Sequence, residues 1–258
     1  MVKCLVIHSS YRKGNTYKVT QLVKTYMKKR SKKFANIVFE EIFINQLDLP
    51  FCIGCNQCFL KGEAYCPHAS TVQSIVQKIA TCDGLIITTP TYSLQVPGVL
   101  KCWLDHMSYC FHRPQFFTQK ALVITTTAGA GAQSTARYIR NVLHYWGVNH
   151  VTLLPIRCFS FDYIPNQKDY KKIYLAANSF YDHISSKTSS PPNAKQVFLF
   201  NFWRSMAKAG EKENTADYRY WAGMNLLNKS TPYDNPLSST KKIWAKLSYL
   251  LSKKMLRP

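Results

Sequence analysis

The sequence predicts a doubly wound α/β fold, in which helices cover both faces of a parallel sheet, followed by a mostly helical extension. Five short apolar runs alternate with amphipathic segments within residues 1–187. The runs are continuously apolar, which is typical of parallel strands buried on both faces. Hydrophobic residues make up 46% of the 258 residues and charged residues 18%, which excludes disorder for most of the chain and allows a large core.

The predicted elements follow one another in a regular order. Strands are expected at residues 2–8, 37–44, 84–90, 121–127 and 151–156, where aliphatic and β-branched residues cluster. Helices are expected where apolar residues recur at helical spacing, at 19–27, 72–79, 99–107, 139–146 and 173–184. Ligands of such sheets bind beyond the carboxyl ends of the strands. The loops after strands one, three and four are therefore the candidate binding loops.

The last quarter of the chain is predicted to be a separate extension. Residues 185–195 are polar and contain two prolines, which indicates a linker between a domain at residues 1–187 and an extension at residues 188–258. Residues 240–258 predict a basic helix with one apolar face, formed by Ile243, Trp244, Leu247, Leu250 and Leu251. This helix either packs on its own domain or on a second subunit, or it makes peripheral contact with a membrane surface.

The charge of the chain favours acidic partners. The net charge is +21, from 34 Lys and Arg against 13 Asp and Glu. Such a field suits a nucleotide cofactor, a nucleic acid, an acidic protein or an anionic membrane. No nucleic-acid-binding module is recognisable in the sequence, so we predict no nucleic-acid partner. The chain begins with a predicted strand in place of a signal peptide, and we expect a cytoplasmic protein.

The loop after the first strand has the composition of an anion site. The stretch "HSSYRKGNT" at residues 8–16 supplies the hydroxyls of Ser9, Ser10 and Thr16, the cation Arg12 and the start of a helix. Helix starts offer unpaired N–H groups and partial positive charge, which suit a phosphate. The loop lacks the glycine and lysine pattern of a nucleoside triphosphate site and the three glycines of a dinucleotide fold.

The other two candidate loops suit a flat ring. Pro90, Thr91 and Tyr92 follow the third strand and combine an aromatic ring with backbone polar groups. The stretch "TTTAGAGA" at residues 125–132 follows the fourth strand, and its small residues allow the backbone to approach a ligand edge. The three loops together offer a phosphate end and a flat-ring end.

In these loops, in the cysteine-rich stretch at residues 51–68 and in the segment "GVLKCWLDH" at residues 98–106, the chain resembles the flavodoxin-fold NAD(P)H-dependent FMN reductases and, within them, the iron-sulfur flavoproteins. The resemblance implies a flavodoxin-like five-stranded sheet of order 2-1-3-4-5. It also implies that FMN is held by its phosphate at Ser10, Arg12, Asn15 and Thr16, that Pro90, Thr91, Tyr92 and Ser93 border its ring system, and that Thr127, Ala128, Gly129 and Gly131 line the other edge. Where the family has an arginine after Asp105, this chain has His106.

Four cysteines form a compact group between the second strand and the next helix. Cys52, Cys55, Cys58 and Cys66 read C-x2-C-x2-C-x7-C-P. Two-residue spacers let the backbone curl around a 4Fe-4S cluster, as in bacterial ferredoxin loops, and iron-sulfur flavoproteins use a similar motif. Three alternatives stay open: free thiols beside the flavin, a structural zinc site, and a redox disulfide between Cys55 and Cys58.

The sequence therefore predicts an FMN-dependent oxidoreductase that passes electrons from NAD(P)H to a quinone, flavin or protein acceptor, with the cysteines as candidate ligands of a cluster in the electron path. The flavin carries the chemistry, so no catalytic protein residue is predicted. The alternative is a flavoprotein electron carrier that never meets a nicotinamide. The resemblance also implies a homodimer.

Overall fold

The computed structural model describes residues 1–32, 35–186 and 188–255. The strands are β1 (Val2–His8), β2 (Ile37–Phe43), β3 (Gly84–Pro90), β4 (Lys120–Thr127) and β5 (His150–Arg157). The helices are α1 (Asn15–Ser31), α2 (Gln57–Leu60), α3 (Ala69–Thr81), α4 (Gly98–His106), α5 (Ala132–Tyr145), α6 (Gln167–Ser185), α7 (Ala194–Ala209), α8 (Ala216–Gly223) and α9 (Ser239–Met255). Short 3-10 helices lie at Ile44–Gln46, Glu63–Tyr65 and Ser108–Phe111.

The five strands form one parallel sheet in the order β2-β1-β3-β4-β5, as predicted. In the register, Val6 of β1 lies beside Glu41 of β2 on one side and Ile86 of β3 on the other. All the carboxyl ends consequently meet at one edge. The predicted strand limits agree with the structure within one residue at each end.

Helices cover both faces of the sheet because its strands are apolar on both sides. One buried cluster joins the sheet to α3, α4 and α5 and includes Trp103 and Trp146, whose rings meet edge to face at 5.4 Å. A second cluster joins the other face to α1 and α6, through Val19, Val23 and Phe180. Burying both faces fixes the register, since a shift by one residue would exchange the two sets of side chains.

The extension packs against the loop before β4 and the end of α5. Trp221 of α8 is fully buried and donates its indole N–H to the carbonyl of His112 at 2.8 Å. Tyr233 donates its hydroxyl to the carbonyl of Gly147 at 3.0 Å. The predicted boundary after residue 187 lies outside the described residues, as do positions 256–258 of the predicted last helix.

The last helix, α9, packs on α7 through small residues. Ala245, Ser248 and Ser252 are buried in this contact. Of the apolar face that the sequence predicts, Ile243, Leu247, Leu250 and Leu251 stay exposed. Trp244 instead donates its indole N–H to the carbonyl of Ala194 of α7 at 2.9 Å. Of the helices in residues 1–32, 35–186 and 188–255, none has the length and apolarity needed to cross a bilayer.

Candidate functional site

Four loops at the carboxyl edge of the sheet enclose a cavity of about 640 Å³. The loops follow β1, β3, β4 and β5 at residues 9–14, 91–97, 128–131 and 158–166. The predicted site residues that line the cavity are Ser10, Arg12, Asn15, Thr16, Pro90, Thr91, Tyr92, Thr127 and Ala128. The sheet thus brings all three candidate loops to one cavity.

The loop after β1 places positive charge at one end of this cavity. Gly14 precedes α1, and no side chain among the described residues caps the start of the helix. The first turn of α1 carries no acidic residue, and Arg12, Lys13 and Lys18 line the same end of the cavity. Within the described residues Arg12 has no carboxylate partner, and its guanidinium lies 5.6 Å from the ring centre of Phe161. The uncapped helix start and the cations together form an anion site.

Hydroxyl pairs beneath the cavity hold the loops to the sheet. Thr16 and Thr126 share a hydrogen bond of 2.6 Å between their hydroxyls. Ser9 donates its hydroxyl to that of Thr89 at 2.6 Å and is buried, so its side chain does not line the cavity. These bonds satisfy polar groups in the interior and fix the height of the loop after β1.

The loop after β3 turns sharply to present Tyr92. The backbones of Tyr92 and Gln95 bond to each other in both directions, at 2.8 and 2.9 Å. Between them, Ser93 and Leu94 are left-handed, with φ of 48° and 66°. Tyr92 is 49% exposed, whereas Ser93 does not line the cavity. Thr91 has a buried hydroxyl without a hydrogen-bond partner in the part of the chain that the structure describes.

The residues of the loop after β4 line two different cavities. Thr127 and Ala128 line the main cavity, and Thr127 also borders a neighbouring cavity of about 460 Å³ that Gly129 and Gly131 line. Gly131 has φ of +93° and lies directly against the turn at Leu94.

The loop after β5 also lines the cavity, which sequence reasoning missed. The side chain of Asn15 donates to the carbonyl of Ser160 at 2.6 Å and accepts from the backbone N–H of Tyr163 at 3.3 Å. Lys18 forms an ion pair of 3.3 Å with Asp162. The signal was available, because "CFSFD" at residues 158–162 directly follows a strand whose carboxyl end lies at the same edge.

The cysteine loop joins β2 to α3. Cys52 is exposed, and Cys55, Cys58 and Cys66 are half-buried, all four as free thiols. Gly54 and Asn56 are left-handed, with φ of 67° and 57°, so the backbone curls between the first three cysteines. Burial raises the pKa of the Cys58 thiol, the nearby Cys66 and Cys52 thiols raise it further, and the Arg113 guanidinium opposes them.

Two histidines lie beside the last cysteine of the loop. Cys66, His68 and His106 each offer one ligand atom, and these three atoms lie within 4.8 Å of one another. A separate cavity of about 350 Å³ lies between the main cavity and the cysteine loop, and Tyr92, Phe51 and Cys102 line it. Tyr92 therefore forms part of the wall of both cavities.

The part of the chain that forms this site matches a known protein family. The model described as NADPH-dependent FMN reductase matches residues 2–162, which include the sheet and all four loops up to Asp162.

Two similar proteins match more than half of the chain. An iron-sulfur flavoprotein of Archaeoglobus fulgidus is 26% identical over 186 residues, which are 70% of this chain and 82% of that protein. An FMN-dependent NADH:quinone oxidoreductase of Pseudomonas fluorescens is 24% identical over 173 residues, 60% of this chain and 86% of that protein.

Solved structures share the fold. A crystal structure of an NADH:FMN oxidoreductase in its apo form is 23% identical, with a TM-score of 0.52, and the match covers 74% of this chain and 92% of that one. An azoreductase from Bacillus anthracis is 13% identical with a TM-score of 0.54, over 72% of this chain and 100% of that one.

Proposed function

We propose that FMN occupies the cavity of about 640 Å³, because this chain belongs to the NADPH-dependent FMN reductase family and is an NAD(P)H-dependent FMN oxidoreductase. We also propose that a quinone is an electron acceptor. The observation that carries the proposal is the arrangement of the cavity. An uncapped helix start, Arg12 and Lys13 lie at one end, and Pro90, Thr91 and Tyr92 lie at the other. Its volume lies within the usual range of about 300–1,000 Å³ for ligand sites.

The residues at the cationic end fit a phosphate. Arg12 has no carboxylate partner among the described residues and can turn its guanidinium to a phosphate as a bidentate donor. The side chain of Asn15 already bonds to the loop after β5, so Asn15 and Thr16 would contribute their backbone N–H groups at the helix start. Ser10 holds the loop in shape by donating to the carbonyl of Arg12 at 2.7 Å.

The opposite end fits the ring system. Tyr92 offers a half-exposed aromatic face, and the buried Thr91 hydroxyl lacks a partner within the described chain. The backbone at Thr127 and Ala128 closes the other side. When bound, FMN supplies hydride acceptance from NAD(P)H and the release of electrons to the acceptor. The protein binds the cofactor, orients it and limits the access of water on three sides.

Flavin titration of the apoprotein tests the proposal. Arg12→Ala is expected to weaken FMN binding about 10- to 100-fold, because a hydrogen-bonded charge contributes roughly 1.5–3 kcal/mol. Riboflavin lacks the phosphate, so its binding should change little in this variant. Arg137→Ala is the matched control, since Arg137 is an exposed arginine on α5 that lines neither of the two cavities at this edge. Equal affinity of the wild type for FMN and riboflavin would contradict the assignment of the phosphate end.

We further propose that the cysteine loop holds a 4Fe-4S cluster through Cys52, Cys55, Cys58 and Cys66. The free thiols and the two left-handed residues that curl the loop support this ligand set. The chain's similarity to proteins named iron-sulfur flavoproteins also supports it. Iron and sulfide assays on protein purified without oxygen test it, and the absence of acid-labile sulfide would refute it.

The exposed aromatic rim of the cavity supports the predicted homodimer. Phe159 and Phe161 are 76% and 85% exposed in the loop after β5. Large apolar side chains grouped at a ligand site favour coverage by a second subunit. Analytical ultracentrifugation of the wild type and of the variant Phe159→Ser with Phe161→Ser tests this, and a wild-type monomer would refute it.

A further inference from the structure

Three metal-ligating side chains converge where the end of the cysteine loop meets the end of α4. Cys66 follows the 3-10 helix Glu63–Tyr65, His68 lies directly before α3, and His106 is the last residue of α4. Their ligand atoms lie within 4.8 Å of one another, and Cys66 Sγ is 3.9 Å from His106 Nδ1. This is the one such group of three that the described residues contain.

His106 is held in the form that binds metals. Its side chain is 4% exposed, and Nε2 lies 2.8 Å from the carbonyl oxygen of Pro50. A carbonyl only accepts, so in the neutral ring Nε2 carries the hydrogen and donates it to Pro50. The lone pair of Nδ1 therefore points toward Cys66 Sγ. Metal-binding histidines usually donate their other ring N–H to a carbonyl or carboxylate in this way.

A hydrogen bond between Cys66 and His106 alone would not account for the position of His68 beside them. The ring of His68 meets that of His106 edge to face, with the centroids 5.1 Å apart. A tetrahedral ion with bonds of about 2.0–2.3 Å holds its ligand atoms about 3.3–3.8 Å apart. The three atoms lie within 4.8 Å of one another, so they exceed this spacing by at most about 1.5 Å, and the side chains must rotate inward to bind an ion. A ligand set of one sulfur and two imidazole nitrogens favours Zn²⁺, Co²⁺ and Fe²⁺ over Mg²⁺ and Ca²⁺.

We propose that Cys66, His68 and His106 bind a single divalent ion of the zinc class when the loop carries no cluster, with a fourth position open to water. Binding replaces the thiol proton of Cys66 by the metal–sulfur bond, and the proton leaves to solvent. Because Cys66 is also a proposed cluster ligand, the two occupants exclude each other. The site does not involve the flavin cavity, so its failure would leave the proposed oxidoreductase function intact.

Cobalt titration of the full chain tests the site. Protein freed of cluster and metal by a chelator, under reducing and oxygen-free conditions, is titrated with Co²⁺. We expect one equivalent to bind, with a thiolate-to-cobalt charge-transfer band and the intense visible bands of tetrahedral cobalt, and Zn²⁺ to displace it. Cys66→Ser should abolish the charge-transfer band. His68→Ala and His106→Ala should each weaken Co²⁺ binding by at least about tenfold.

Variants of the other loop cysteines provide the matched control. Cys52→Ser and Cys55→Ser should leave Co²⁺ affinity unchanged, although both remove proposed cluster ligands. FMN titration of every variant verifies that the fold is intact. If the two cysteine variants abolish Co²⁺ binding and the two histidine variants do not, the ion is held by the thiolates of the loop and the proposal is wrong. The absence of stoichiometric binding in the wild type would also overturn it.

Discussion

At the residue scale, Gly131 links two of the loops that form the cavity. A Cβ atom at this position would lie 2.9 Å from the Leu94 Cα and 3.0 Å from the Thr91 Cγ2, closer than side chains normally approach. The φ of +93° is a second obstacle to any residue with a side chain. The glycine therefore allows the loops after β3 and β4 to touch, and this contact supports the turn that presents Tyr92.

We expect Gly131→Ala to lower the free energy of unfolding by about 1–3 kcal/mol, because it adds both a clash and backbone strain. FMN binding should weaken as well, since the turn at residues 92–95 must shift. Gly223→Ala is the control, because an added Cβ atom meets nothing within 4 Å among the described residues and Gly223 lines neither cavity at this edge. Denaturant unfolding and flavin titration of both variants check the prediction, and equal behaviour of the two would contradict it.

Only part of the placement of individual residues in the site could be predicted from the sequence. Arg12, Thr91 and Tyr92 line the cavity because each lies in a loop that follows a strand, and these strands end at the same edge of the sheet. The pattern of strands in the sequence already contains this relation. The sequence cannot distinguish Ser9 from Ser10, although one hydroxyl is buried against Thr89 and the other lies at the cavity. That difference depends on the pairing of β1 with β3, which is a long-range contact.

At the scale of the element, α9 has an unusual arrangement. Its apolar residues Ile243, Leu247, Leu250, Leu251 and Met255 are 47–75% exposed, while its small residues face α7. The exposed lysines Lys242, Lys246 and Lys253 border the apolar face. Exposed apolar side chains flanked by lysines are typical of helices that lie on an anionic bilayer. The amphipathic pattern was visible in the sequence, but which face packs on α7 was not.

We expect the protein to sediment with vesicles that contain phosphatidylserine and not with vesicles of phosphatidylcholine alone. Lys242→Glu with Lys246→Glu should reduce the bound fraction at least about tenfold, since each lysine contributes about 1 kcal/mol near such a surface. Lys29→Glu with Lys171→Glu changes two exposed lysines on α1 and α6 and gives the same net charge. An equal loss of vesicle binding in both double variants would show that binding depends only on the net charge of the protein. No binding by the wild type would favour a second protein copy as the cover of α9.

At the scale of the whole molecule, the sheet was predictable and the docking of the extension was not. Each strand signal is local, and the order follows from the resemblance of a few loops. The extension instead depends on single long-range contacts, such as that of Trp221 with the carbonyl of His112, which leave no periodic pattern in the sequence. For the same reason the approach of His106 to Cys66 could not be predicted, because α4 and the cysteine loop meet only through the fold, whereas His68 follows Cys66 in the same loop.

One buried cation connects the extension to the cysteine loop. Arg113 is 2% exposed and donates to the carbonyl of Cys58. Its guanidinium also forms ion pairs with Glu63 of the loop, at 3.2 Å, and with Asp217 of α8, at 3.4 Å. Asp217 bonds to His112 as well, at 2.8 Å. The position of the cysteines therefore depends on a carboxylate that lies about 150 residues further along the chain.

Asp217→Asn should loosen the cysteine loop, because it removes one of the two carboxylates that neutralise the buried Arg113. We expect a loss of about 1–3 kcal/mol in the free energy of unfolding and faster amide hydrogen exchange at residues 57–65, with no change in β1. Asp182→Asn is the control, because its ion pair with Arg30 is open to solvent and stabilises the fold little. Unchanged exchange in the loop, despite a loss of global stability, would show that Asp217 stabilises only the extension and that the loop holds its shape without it.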